Sequence, residues 1–187
     1  DALGHFGILP DGATHPDDVL YYNQFTGADV VGPDGLARLG VETVKPFVTR
    51  GVLLDVKRYA NGGQTLIAGQ EITAAMLEQT RAAEKIHIRP GDVVLIVTGW
   101  EEKWHLGTNG YYLTEGLGLA EPGLGLEAAQ WLTDRGVVCV GAHNWGLDVA
   151  PLRPSPAPGV LLPVHHHLLV KSGVFMQESM VLSELAA

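Results

Sequence analysis

The feature that most constrains the fold is the alternation of apolar, strand-like runs with helical segments through the middle of the chain. Three runs, at residues 51–56, 93–99 and 137–141, consist mainly of aliphatic and β-branched residues. Continuous apolar runs are typical of strands that are covered on both faces of a sheet. Helical spacing recurs between them at residues 72–85, with Thr73 as the expected N-cap, and at residues 126–136, with Gly136 expected to end the helix. Further strand-like segments lie toward both ends, among them Val44–Val48, where β-branched and aliphatic residues favour a strand. This order predicts an α/β fold with a mixed sheet.

Composition narrows the class of protein. The chain has 187 residues, of which 46% are hydrophobic and 18% are charged, so we expect one ordered domain over residues 1–187. The net charge is −9 and no Lys/Arg cluster is present, which argues against nucleic acid and anionic membrane partners. No apolar run approaches the roughly 20 residues of a membrane span. We expect a cytoplasmic protein.

The first candidate motif is the opening stretch DALGHFG. Its Asp1 and His5 are spaced so that both side chains can face one site from a single turn-like segment. The alternative is a surface carboxylate beside a solvated imidazole in a glycine-rich loop.

The second candidate is the stretch PVHHHLLVKSGVFMQES at residues 163–179. Adjacent side chains point in different directions, so at most one or two of the three histidines can face one site. Glu178 ends an otherwise apolar strand, and a carboxylate there is costly unless it is paired or bound to a metal. Neutral imidazole and carboxylate are ordinary ligands of zinc and manganese. The alternative is a structural His–Glu hydrogen bond.

The third candidate is VGAHNWGLDVAP, in which His143 and Asn144 directly follow a buried strand. Proteins of the α/β class place site residues at that position. The alternative is a loop that only caps the sheet.

Taken in order, these pieces resemble the cyclase family, which includes kynurenine formamidase and isatin hydrolase. The resemblance runs over nearly the whole chain and also includes YYNQFTGADV, GVETVKPFVTRGVLLDV, IRPGDVVLIVTGW and PGLGLEAAQWLTDRGVV. It implies a swivelling β/β/α domain and assembly as a homodimer or homotetramer. One departure is His143, where an Asp is expected in family members of the GADN type.

The resemblance also implies a metal site. The family builds it on His-x-Gly-Thr-His-x-Asp followed four residues later by His, and these last two positions match Asp1 and His5. The preceding histidines, one of which is Gln in some members, would then lie upstream of residue 1, in a longer polypeptide. A later His and Glu are twelve residues apart in the family, which selects His166 and Glu178.

The implied activity is metal-dependent hydrolysis of an amide, lactam or related cyclic carbonyl compound. Asp1, His166 and Glu178 would hold Mn²⁺ or Zn²⁺, with His165 and His167 as alternates for His166. Such a cation polarises a carbonyl and acidifies bound water. His5 would carry the proton to the leaving nitrogen, and Glu178 would bind the metal or act as the base.

Aromatic residues in loop-like contexts complete the prediction. Phe6, Tyr22, Trp100 and Trp145 are candidates for the wall of a pocket for a flat substrate, and each has ordinary packing as its alternative. Two rival functions stay open: a non-catalytic small-ligand binding protein on the same fold, and a dehydratase or cyclase that acts on a hydroxylated carbonyl compound.

Overall fold

The computed structural model describes residues 1–156 and 158–187. The chain forms two compact units, Asp1–Val48 and Thr49–Ala187. A single domain over the whole chain stays a prediction. Among the described residues, no helix is both long enough and apolar enough to cross a membrane.

The first unit is built from short elements. Its helix α1 (Gly27–Val30) begins with a capping box, in which the Thr26 N–H donates to Asp29 Oδ2 over 2.9 Å. Strands β1 (Val31–Gly32) and β2 (Gly35–Leu36) pair in an antiparallel hairpin. Four short 3-10 helices complete it: Leu3–His5, Pro16–Asp18, Tyr22–Gln24 and Val41–Thr43.

A strand expected at the end of this unit is absent. The residues Val44–Val48 were predicted as a strand because they are mostly apolar, and the backbone there is irregular. Pro46 has no N–H to give to a ladder, and Val48 is 98% exposed. Apolar composition alone therefore does not predict a strand at this position.

The second unit contains the remaining elements. Its strands are β3 (Gly51–Leu54), β4 (Glu71–Ile72), β5 (Val93–Ile96), β6 (Leu113–Thr114), β7 (Gly118–Leu119), β8 (Gly123–Leu124), β9 (Cys139–Ala142) and β10 (Phe175–Gln177). Its helices are α2 (Val56–Ala60), α3 (Ala74–Ala83), α4 (Gly107–Tyr111), α5 (Leu126–Thr133) and α6 (Pro163–His165), with a 3-10 helix at Trp100–Leu106 and a π-helix at His166–Lys171.

Four parallel strands form the central sheet, in the order β10-β9-β5-β3. Their register places Val52, Val94, Val140 and Met176 side by side, and all four are buried. This confirms strands at the three apolar runs, and β9 is buried at every position, whereas β3 and β5 have half-buried or exposed residues on their other face.

Local sequence signals explain both long helices. Thr73 caps α3 by accepting the Met76 N–H over 3.2 Å, as the sequence predicts. Beyond the end of α5, Gly136 adopts a φ of 70°, a left-handed conformation that glycine reaches without strain. Each helix buries an apolar stripe that includes Leu77 in α3 and Leu132 in α5.

The α/β fold class is confirmed, and the structure contains both parallel and antiparallel strand pairs. Antiparallel pairs occur in separate two-stranded sheets, β1-β2 and β6-β7, and the short pair β4-β8 is parallel. Because the central strands are parallel, their carboxyl ends meet at one edge. Asp55, Thr98, His143 and Glu178 follow the four strands at that edge.

Candidate metal centre and active site

A short loop after β9, Asn144–Asp148, organises the candidate site. Asp148, at the end of this loop, is 5% exposed. Its Oδ1 accepts the Val164 N–H over 2.9 Å and its Oδ2 accepts the His165 N–H over 3.0 Å. The carboxylate therefore holds the backbone of α6, which ends at His165.

His165 is fixed through its side chain as well. Its Nδ1 lies 2.6 Å from Asp148 Oδ2, and its Nε2 lies 3.3 Å from Glu178 Oε1. Burial disfavours a charged imidazole here, but the hydrogen bonds to Asp148 and Glu178 outweigh it and raise the pKa of His165 to about 9. One imidazole is thus held between two carboxylates.

Glu178 directly follows β10, at the carboxyl edge of the central sheet. Its side chain is 18% exposed, and its Oε1 also accepts the Leu147 N–H over 3.0 Å. The loop after β9 therefore holds both His165, through Asp148, and Glu178, through a backbone amide.

Glu121 is a third carboxyl group of this cluster, and it is fully buried. Its Oε2 accepts the Trp145 N–H over 2.8 Å, while its Oε1 has no hydrogen-bond partner among the described residues. A methyl group on Gly146 would lie 2.9 Å from Glu121 Oε1 and 3.9 Å from Glu178 Oε1, so both oxygens border the same small space. Burial raises the pKa of Glu121 to about 10.

The donor set of this cluster fits a divalent cation. Nδ1 of His165 is engaged by Asp148, which leaves Nε2 as the nitrogen beside Glu178. Among the described residues, no Lys or Arg side chain pairs with Asp148, Glu178 or Glu121. An imidazole and a carboxylate side by side are the donor types that zinc and manganese bind in proteins.

The three adjacent histidines diverge, as expected. His165 is the one beside Glu178, and His167 Nε2 lies 2.9 Å from Thr133 Oγ1. Burial, with a smaller contribution from Lys171, lowers the pKa of His166. The geometry thus favours the alternate His165 over His166 as the partner of Glu178.

The family's separation of twelve residues selects His166, whereas His165 and Glu178 are thirteen apart. A π-helix at His166–Lys171 directly follows His165. Turns of this kind are frequent at functional sites.

Asp1 and His5 belong to the first unit. Their side chains approach each other, with His5 Nε2 3.8 Å from Asp1 Oδ2, as the spacing of DALGHFG predicts. His5 lies at the end of the 3-10 helix Leu3–His5. Their roles as proton carrier and metal ligand stay predictions.

The predicted aromatic wall divides into different environments. Trp100 is fully buried, with its indole N–H donating to the Tyr111 carbonyl over 3.2 Å and Lys103 over its ring, which favours a core role. Trp145 is half-buried beside Tyr112, at 5.8 Å between ring centroids. In the first unit, Phe6 is half-buried and Tyr22 is 62% exposed. Their substrate contacts stay predictions.

His143 and Asn144 connect the strand ends. His143 Nδ1 accepts the Gly99 N–H over 2.9 Å, and burial lowers the pKa of this imidazole. Asn144 accepts the Thr98 hydroxyl over 2.8 Å and donates to the Pro122 carbonyl. These contacts favour the alternative of a loop that caps the sheet.

Sequence reasoning missed Glu121 and Asp148. Glu121 lies in the run LAEPGLG, where its neighbours from Ala120 to Leu124 are all buried. A carboxylate among apolar residues needs a partner, and this holds for Glu121 as it does for Glu178. It holds for Asp148 as well, between Leu147 and Val149, but its partner His165 is 17 residues away and does not follow from the sequence.

These features define an α/β protein with a buried imidazole–carboxylate cluster at the carboxyl edge of its parallel sheet. The family model described as "Putative cyclase" matches residues 1–149, more than half of the chain. The chain therefore belongs to the cyclase family.

Solved structures agree with this assignment. The crystal structure of a novel cyclase is 32% identical to this chain, and the match covers 100% of this chain and 56% of the other, with a TM-score of 0.74. Isatin hydrolase A from Ralstonia solanacearum is 22% identical over 79% of this chain and 53% of the other, with a TM-score of 0.59. An isatin hydrolase bound to the product analogue thioisatinate is 21% identical over 74% and 49%, with a TM-score of 0.55.

The chain spans about half the length of these solved structures. The two isatin hydrolases are similar to it in fold. No curated protein matches the sequence significantly.

Proposed function

We propose that this protein is a metal-dependent hydrolase of an amide, lactam or related cyclic carbonyl compound. The observation that carries the proposal is the contact between Nε2 of the buried His165 and Oε1 of the half-buried Glu178, 3.3 Å apart, with the other imidazole nitrogen bonded to Asp148. Membership of a family with hydrolases among its structural neighbours supports the same reaction class.

His165 and Glu178 would hold the cation, and the sequence resemblance adds Asp1 as a further ligand. Mn²⁺ and Zn²⁺ both suit imidazole and carboxylate donors. When bound, such a cation polarises a substrate carbonyl and makes water nucleophilic near neutral pH. His165 replaces His166 in the proposed ligand set because it is the imidazole that contacts Glu178.

Two residues of the chain would handle protons. Glu178 Oε1 is engaged by the Leu147 N–H and His165, so Glu178 would take a proton from water through its other oxygen, Oε2. His5, an exposed imidazole, would return a proton to the leaving nitrogen. Hydrolysis of an amide balances when the proton taken from water ends on that nitrogen.

The test is hydrolysis of a panel of amides and lactams, measured as release of ammonia, amine or new carboxylate. We expect activity that EDTA abolishes and that Mn²⁺ or Zn²⁺ restores. The matched variants are His165→Gln, which should lose activity by two or more orders of magnitude, and His166→Gln, which should retain it. Binding of panel compounds without turnover would instead support a binding protein, and loss of water from a hydroxylated carbonyl compound would support a dehydratase.

We further propose a cytoplasmic homodimer or homotetramer that acts on a small molecule. This part of the proposal rests on the family resemblance and on the acidic, unclustered charge of the chain. Light scattering after size-exclusion chromatography tests it, and a mass of 20.0 kDa for the particle in solution would contradict it.

A further inference from the structure

Asp148 makes an unusual set of contacts with a single residue. It binds His165 twice, once at the backbone N–H over 3.0 Å and once at the ring nitrogen Nδ1 over 2.6 Å. A third contact, from the Val164 N–H over 2.9 Å, anchors the other carboxylate oxygen. The carboxylate therefore holds both the position of the His165 backbone and the direction of its ring.

The chemistry of the carboxylate decides which ring nitrogen carries a proton. An ionised carboxylate only accepts hydrogen bonds, so the nitrogen beside it must be Nδ1–H. The lone pair of a neutral imidazole is then at Nε2, the nitrogen that faces Glu178. In metal sites, a ligating histidine commonly donates its other ring N–H to a carboxylate or carbonyl, and this hydrogen bond fixes its tautomer and ring orientation.

We propose that Asp148 is a positioning residue that presents the Nε2 lone pair of His165 to the cation. This inference rests on the proposed function, because it assigns Asp148 a role in the affinity for that cation. An asparagine at 148 would keep the volume, but its amide N–H₂ can face Nδ1 and stabilise the opposite tautomer. In that tautomer Nε2 carries a proton and cannot bind a metal.

The experiment compares wild type, Asp148→Asn and Asp92→Asn. Asp92 is a matched control, because it is also a buried carboxylate, 3% exposed, but its partner is Arg50. Zn²⁺ affinity is measured by competition with a chelator. We expect Asp148→Asn to weaken Zn²⁺ binding by about 10- to 100-fold, the usual effect of losing such a partner. Asp92→Asn should lower the melting temperature and leave Zn²⁺ affinity unchanged.

A second readout needs no variant. In protein labelled with ¹⁵N at histidine, NMR of the Zn²⁺-loaded wild type should show His165 with Nδ1 protonated and Nε2 bound to the metal. The Nδ1–H signal of the short bond to Asp148 should also be present in metal-free protein and absent in Asp148→Asn.

The outcomes separate the two proposals. Zn²⁺ affinity within twofold of wild type in Asp148→Asn, or a metal bound through Nδ1, would overturn the role of Asp148. If wild type binds no divalent metal, the proposed function fails, and so does the metal-presenting role of Asp148. In that case the Nδ1–H signal shows only whether His165 and Asp148 are hydrogen-bonded.

Discussion

Glu121 should destabilise the fold at neutral pH, and its replacement by glutamine should remove that cost. The carboxyl group is fully buried, and its Oε1 has no hydrogen-bond partner among the described residues. Burial raises its pKa from 4.5 to about 10, so the folded protein keeps it protonated across the neutral range. The unfolded chain ionises it above pH 4.5, and this favours unfolding.

The sign and size of the effect follow from linkage. Consider an acid whose pKa is higher in the folded protein than in the unfolded chain. Its contribution to stability is complete below the pKa of the unfolded chain and is lost as the pH rises toward the pKa of the folded protein. Each pH unit is worth about 1.4 kcal/mol. Between pH 4.5 and pH 7 the penalty grows to about 3 kcal/mol. Glu121→Gln cannot ionise, and its carbonyl can still accept the Trp145 N–H, so we expect it to be more stable than wild type by about this amount at pH 7.

The assay is urea unfolding followed by tryptophan fluorescence, in EDTA, at several pH values from 4.5 to 8. The free energies of unfolding of wild type and Glu121→Gln should agree within about 1 kcal/mol at pH 4.5. Above that pH, the stability of the variant relative to wild type should increase with each pH unit. Glu127→Gln is the control, since Glu127 is exposed in the first turn of α5. A Glu121→Gln variant that is less stable than wild type at pH 7, or a difference that does not change with pH, would refute the reasoning.

Three further predictions concern stability and reactivity in the second unit. Leu54→Ala should lower the free energy of unfolding by about 2–5 kcal/mol in urea titrations, because Leu54 is fully buried in β3; a loss under 1 kcal/mol would contradict this. Arg50→Ala should lower the free energy of unfolding at neutral pH, because it removes the partner of the buried Asp92 carboxylate. Since the hydrogen bond from Arg50 holds the pKa of Asp92 below its usual value, this cost should disappear as the pH falls below about 3.8, and a pH-independent cost would contradict it. Cys139 is buried and its burial raises the thiol pKa, so Ellman's reagent should label it only in denaturant; rapid labelling of the native protein would contradict this.

The fold was largely predictable because its signals are local and periodic. The strands around Val94 and Val140 are continuous apolar runs, and Thr73 caps a helix by a rule that spans three residues. The location of candidate site residues at the carboxyl edge of the sheet also follows from the alternation of strands and helices, which predicts parallel strands. The strand expected at Val44–Val48 was wrong because apolar residues there surround a proline and lie in an irregular, exposed segment.

The site was less predictable because its contacts join distant residues. The importance of Glu178 followed from its place at the end of an apolar strand. The identity of its partner did not follow, because the family's spacing of twelve residues selects His166, whereas the imidazole that contacts Glu178 is that of His165. Spacing along a sequence gives a direction in space only when the number of residues per turn is known. Glu121 and Asp148 lie in the cluster because of the tertiary fold, which spacing along the sequence does not give.

The most direct test of the central claim is which histidine the metal requires. Metal content by elemental analysis and Zn²⁺ affinity by calorimetry are measured for wild type, His165→Gln and His166→Gln. We predict that wild type binds a divalent cation, that His165→Gln weakens binding by at least tenfold, and that His166→Gln binds as wild type does. Binding that survives His165→Gln, or that is lost only in His166→Gln, would contradict a metal centre built on His165 and Glu178.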